Sequence, residues 1–176
     1  MNYTDLRATI KTGDYGLCHG TQLTSEAIEL VSGQDSHVFK FVWLGSGLWC
    51  AEEWGGVGFQ LIPASLKLQY YWNMSPAGTV RLGIAPDIVR NNPQLGMNLV
   101  STYRVDKNLQ PYGGVKTFLE IAASELGWKI DPTKVQAVCS TFCQQYDIAC
   151  GMRYDRLFAP TDFEKITTKI VEIERS

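Results

Sequence analysis

In this 176-residue sequence, five cysteines and two histidines supply the nucleophile and base chemistry accessible near neutral pH. Cys139 stands apart by position. It opens the stretch CSTFCQQYDIACG, in which Phe142, Cys143, Tyr146, Ala149 and Cys150 follow at three- and four-residue spacings. The pattern predicts a helix that begins near Cys139, after an extended lead-in from Val135 to Val138, and stops at Gly151. A cysteine in a first helical turn meets unpaired backbone N–H groups and the positive end of the helix dipole, and both favour thiolate. The same spacing also fits a buried stripe of Cys139, Cys143 and Cys150, since a free cysteine packs as a small hydrophobe.

A thiolate nucleophile needs a base within hydrogen-bond reach and a third polar group to orient that base. His37 opens the run Val38 to Leu44, which must be a strand, and Glu52 and Glu53 sit near the end of its hairpin partner, Leu48 to Trp54. Strand alternation puts Glu52 on the face of Leu48 and Cys50, and Glu53 on the face of Trp49 and Ala51. Only one of them can point at the ring, and alternation alone leaves the choice open. His19 lies in a Cys-His-Gly turn with no comparable acid nearby.

The elements that position these residues read as α+β. Thr12-Gly13-Asp14 turns into a short strand from Tyr15, and Leu23, Ala27, Ile28, Leu30 and Val31 recur at helical spacing before Gly33. Three strands follow, from Val38 to Leu44, Leu48 to Trp54 and Val57 to Pro63, joined by glycine-bearing turns as an antiparallel meander. Between Ala64 and Pro111, Tyr70-Tyr71-Trp72 and Val80 to Ile84 read as packed pieces. Asn91-Asn92-Pro93 and Asp106-Lys107-Asn108 read as loops. A helix runs from Val115 to a stop at Gly127, and an alternating strand from Ile166 to Ile173 closes the chain. One domain over residues 1–176 is expected, without repeats or a linker.

Composition narrows the classes. With 45% hydrophobic and 19% charged residues the chain is globular, and a net charge of -2 gives no electrostatic footprint for nucleic acid. No apolar run approaches the ~20 residues of a membrane span. The start, MNYTDLRATIKTGD, lacks the basic and apolar zones of a signal peptide, so a cytoplasmic location is expected, with phage-type release or packaging in a virion as the other route. An odd number of cysteines without an export signal argues for reduced thiols. No cofactor is expected. A metal site built from Cys18, His19, Cys50, Cys139 and Cys143 fits zinc spacing rules poorly, because the adjacent Cys18 and His19 diverge in a strand.

Several of these elements together resemble a known family. Thr12-Gly13-Asp14 before a strand, Ser36-His37-Val38 opening another, an acid followed by a Gly-Val turn and Leu61-Ile62-Pro63, and Cys139-Ser140-x-Phe142 are similar to the circularly permuted NlpC/P60 papain-like hydrolases. The likeness is to the YiiX-like branch, related to lecithin:retinol acyltransferase, and extends from about Thr12 to Phe163. It implies a permuted papain-like fold, an antiparallel sheet or small barrel packed against helices, one carrying the cysteine. It further implies Cys139 as nucleophile, His37 as base and general acid, and Glu52 as orienting group, in the chain order His37, Glu52, Cys139 that reverses the usual papain order. Where the family has a small residue after the acid, this sequence has Glu53. The oxyanion would be met by backbone N–H groups at the helix start, with Tyr15 as a further candidate. The implied substrate is a peptide, amide or acyl compound, cleaved or transferred through a thioester. The competing reading is a papain-like module without turnover that binds a partner or builds a virion.

Overall fold

The computed structural model describes residues 1–20, 35–55, 57–74, 78–106, 114–136 and 138–175. The helix expected between Leu23 and Gly33 lies outside them. The chain opens with helix α1 (Tyr3–Arg7) and strand β1 (Tyr15–His19). The meander follows as β2 (His37–Leu44), β3 (Gly47–Trp54) and β4 (Gly58–Pro63). Gly45 adopts φ 60 in the β2–β3 turn, a left-handed conformation open to glycine without strain.

Next come α2 (Ala64–Trp72), β5 (Thr79–Ile84), α3 (Asp87–Asn91) and α4 (Pro93–Val105). The two helices α3 and α4 lie where Asn91-Asn92-Pro93 and Asp106-Lys107-Asn108 read as loops in the sequence. Asn91-Asn92-Pro93 is a boundary rather than a loop: α3 ends there, and Pro93 takes the first position of α4, where its fixed φ fits and its missing N–H costs nothing. Then follow α5 (Gly114–Glu125), a short 3-10 turn (Pro132–Lys134), α6 (Cys139–Ala149), a second 3-10 turn (Pro160–Asp162), α7 (Phe163–Ile166) and β6 (Lys169–Glu172). The last strand is therefore shorter than the alternation from Ile166 suggested, because Ile166 ends a helical turn.

The six strands form one sheet in the order β4-β3-β2-β1-β5-β6, every neighbouring pair antiparallel. Each face is covered by helices. On one face Tyr15, Leu17, Val38, Val42 and Ala51 pack with Val100 and Tyr103 of α4 and Phe142, Cys143 and Tyr146 of α6. On the other, Phe39, Phe41, Cys18, Cys50 and Leu82 pack with Leu68 and Tyr71 of α2 and Leu6 of α1. Burying each large apolar side chain contributes about 1.5–3 kcal/mol against the entropy of ordering the chain. Gly16 lets Phe39 cross β1, since a Cβ there would lie 2.1 Å from the ring. No helix among the described residues is long and apolar enough to cross a membrane.

A buried polar cluster fixes α6 on the sheet. The Lys40 ammonium, fully buried, donates to the Gly13 carbonyl at 2.9 Å and to Asp147 Oδ1 at 2.5 Å, and lies 3.4 Å from the centre of the Tyr15 ring. Asp147 Oδ2 also accepts from the hydroxyls of Tyr15 and Tyr154, each at 2.7 Å. Burial pushes the Asp147 carboxyl up, and Lys40 with the two hydroxyls opposes that rise. Pairing and hydrogen-bonding these groups together is what makes their burial tolerable.

Candidate active site

Helix α6 begins at Cys139. Val138 before it is extended, at φ -121 and ψ 177, and its N–H donates to the Thr141 hydroxyl at 2.8 Å, which closes the first turn from the third helical position. Gly151, at φ 104, terminates the segment. Cys139 is 5% exposed and the other apolar members of the helix, Phe142, Cys143, Tyr146 and Cys150, are buried. The stripe is real, and Cys139 is its first member.

The β2–β3 register decides which glutamate meets the histidine. Phe41 lies opposite Cys50, so His37, Phe39 and Phe41 share a face with Cys50 and Glu52. Glu53 falls on the other face, with Ala51, toward α6. His37 Nε2 and Glu52 Oε2 are 2.6 Å apart, and the same ring interacts with the Cys139 thiol, which helps to raise the imidazole above its ordinary value. The paired register of β2 with β3 ends at Lys40 and Ala51, leaving the start of β2 beyond the ladder. There the backbone N–H groups of Val38 and, in the first turn of α6, of Ser140 help to lower the Cys139 thiol.

Charge is arranged consistently through the trio. Burial would raise the Cys139 thiol, but the adjacent His37 charge and hydrogen bond, with the two N–H groups, bring it below its ordinary value. Burial would lower His37, yet Cys139 and Glu52 hold it above its ordinary value. Burial would raise Glu52, and His37 and Lys67 keep it low. Cys139, His37 and Glu52 are each shifted toward the charged form by another member of the trio.

Several supporting groups escaped the sequence reading. Glu52 Oε1 accepts from Lys67 Nζ at 2.7 Å and from Gln60 Nε2 at 2.8 Å. Lys67 is 3% exposed and sits 3.4 Å above the Trp54 ring, whose edge meets His37 at a centroid distance of 5.0 Å. A signal existed: Lys67 falls on the face of α2 that carries Ala64, Leu68 and Tyr71, and a lysine on an apolar face implies a buried partner. The entry to β2 is held by Ser36, whose N–H donates to the Cys18 carbonyl, and by Asp35, whose two carboxylate oxygens accept from Arg81 Nη2 at 2.7 and 2.8 Å.

One expectation is corrected. Tyr15 is fully buried and its hydroxyl is committed to Asp147, so it is not an oxyanion donor. The five thiol and imidazole groups considered for zinc are not assembled: Cys18 and Cys50 lie in the α2-side core, Cys139 and Cys143 in the α6-side core. Among the described residues no group of three or more His, Cys, Asp or Glu is arranged to hold a metal ion. All five cysteines are free.

The fold and site define an α+β protein in which a six-stranded antiparallel sheet presents a buried Cys-His-Glu arrangement at the head of a helix. No protein-family model and no curated protein matches the chain. Among solved structures it is similar to the metalloprotein YiiX from Escherichia coli O157:H7, with a TM-score of 0.50 and 12% identity, over 95% of this chain and 98% of that one. The likeness is one of fold, and the chain has a YiiX-like fold.

Proposed function

We propose that the protein is a thiol hydrolase or acyltransferase of the circularly permuted NlpC/P60 papain-like type, cleaving an amide or isopeptide bond, peptidoglycan peptides included, through a thioester on Cys139. The observation that carries this reading is that one imidazole, His37, is hydrogen-bonded to Glu52 and interacts with the Cys139 thiol, His37 and Cys139 each shifting the other toward its charged form. The YiiX-like fold supports it as analogy. The Cys139 thiolate attacks the carbonyl carbon, and backbone N–H groups at the start of α6 meet the oxyanion. His37 gives its proton to the departing amine, leaving a thioester. It then takes a proton from water, or from another acceptor, whose oxygen or nitrogen displaces the sulphur and restores the thiolate. Glu52 holds the ring orientation and stabilises the imidazolium.

Alkylation with iodoacetamide at about pH 6 tests the reading, because thiolate character governs the rate. Cys139 should label ahead of Cys18, Cys50, Cys143 and Cys150, whose thiols burial pushes up. Equal labelling, or none at Cys139, would favour a papain-like module without turnover, the reading that the 5% exposure of Cys139 speaks for. Full activity of Cys139→Ala on any substrate found would overturn the mechanism.

A further inference from the structure

Glu53, next to Glu52 on β3, has no role in the mechanism proposed for Cys139, His37 and Glu52. It is fully buried, and neither carboxyl oxygen has a hydrogen-bond partner among the described residues. Such an arrangement is costly unless something else satisfies the group. Its surroundings explain why it stays neutral. Cys139 faces it from α6, Tyr103 from α4, and Phe59 lies opposite it on β4, with Glu52 as its chain neighbour. The Tyr103 hydroxyl is already committed to Gln145 Oε1 at 2.5 Å. Burial pushes the Glu53 carboxyl up to about 8, and the charges that act on it, Cys139 and Glu52, push in the same direction.

A neutral carboxyl is a hydrogen-bond donor, whereas a carboxylate only accepts. Among the described residues only packing holds this one in place, and it shares the electrostatic field of the sulphur without hydrogen-bonding it. Ser140, the residue after Cys139, also has a buried hydroxyl without a partner among the described residues. One unpartnered polar group thus interacts with the candidate nucleophile from the strand that also supplies Glu52, and another belongs to the residue that follows it in the chain.

We propose that Glu53 is a further catalytic residue, whose carboxylic O–H donates to the carbonyl oxygen of the acyl group attacked by Cys139, alongside the backbone N–H groups at the start of α6. The inference rests on Cys139 being the nucleophile. No proton leaves Glu53: its O–H bond strengthens its hydrogen bond as negative charge gathers on the carbonyl oxygen, and that charge returns to the carbonyl when the amine departs. A preorganised donor of this kind acts on acyl transfer but not on displacement at a saturated carbon, where no oxyanion forms.

That difference gives the test. p-Nitrophenyl acetate reports acylation of Cys139 by release of nitrophenolate, and iodoacetamide reports its alkylation, on the full chain as wild type, Glu53→Gln and Glu53→Leu. The expected result is that Glu53→Leu slows acylation by roughly 100-fold while alkylation changes by less than about 3-fold, in line with the loss of one oxyanion donor. Glu53→Gln, which keeps a donor and cannot ionise, should retain most of the acylation rate. In the wild type the ratio of acylation to alkylation should fall as pH rises through about 8, and in Glu53→Gln it should stay level. A ratio unaltered by Glu53→Leu, or level with pH in the wild type, overturns the proposal even if both variants fold poorly, because the second measurement needs no variant. Absence of any Cys139 labelling in the wild type overturns the thiol mechanism itself and this proposal with it.

Discussion

Replacing Glu52 by glutamine separates what this side chain does for reactivity from what it does for stability. The carboxylate meets His37 through Oε2 and Lys67 through Oε1, at 2.6 and 2.7 Å, and is itself fully buried. Glutamine keeps the shape but removes the charge from both contacts. A hydrogen bond to a charged partner contributes about 1.5–3 kcal/mol, so the imidazolium, and with it the thiolate, should lose that much. At about 1.4 kcal/mol per decade this is a 10- to 100-fold slower alkylation of Cys139 at about pH 6. Glu52 and Cys139 together hold His37 above its ordinary value, and His37 holds Cys139 below its own. The variant should therefore move the rise of alkylation to higher pH. Lys67, 3% exposed, is left with an uncompensated buried charge, which costs about 3–5 kcal/mol of stability. Pairing Glu52→Gln with Lys67→Met should restore much of the stability and none of the reactivity. The assays are iodoacetamide kinetics followed by peptide mapping, and thermal melts by circular dichroism. A folded Glu52→Gln protein that alkylates Cys139 at the wild-type rate and with the wild-type pH profile refutes the reasoning.

Three further outcomes are expected. Lys40→Met strands Asp147 beneath α6 and should cost about 3–5 kcal/mol, lowering the thermal midpoint by roughly 6–20 °C, with substantial recovery in the double variant carrying Asp147→Asn. Glu53→Gln should melt higher than the wild type at about pH 8 and about the same near pH 4. A carboxyl raised from 4.5 to about 8 makes the folded state bind more protons than the unfolded one, so stability falls as pH rises through that window, by at most about 1.4 kcal/mol per unit. Melts recorded across that range check the sign, and an equal pH dependence in both proteins would contradict it. Gly96→Ala places a Cβ 2.1 Å from Tyr146 Cζ where α4 crosses α6, and a loss of about 1–3 kcal/mol should show in denaturant titration.

Local signals carried the meander, the helix that begins at Cys139 and the glycine stops, because each rests on neighbours in sequence: β-branched and aromatic runs, three- and four-residue spacings, and positive φ at Gly45 and Gly151. Helix α4 was hidden although Gly96, Val100 and Tyr103 recur at helical spacing, since Asn-Asn-Pro before it and Asp106 after it read as loop punctuation. Lys67 and the Lys40–Asp147 pair were hidden for another reason. A charge becomes a buried partner only when a distant element covers it, and these pairs span 15 and 107 residues.

The sequence by itself determined that one cysteine heads a helix, that one of two histidines opens a strand beside two glutamates, and that they occur in the order His37, Glu52, Cys139. Tertiary structure decided the rest. Which glutamate meets the ring depends on β2–β3 register, where a slip of one residue exchanges the two faces. Whether Glu53 carries a charge depends on burial between β3, α4 and α6 near the Cys139 sulphur, a property of long-range packing that no stretch of sequence holds alone.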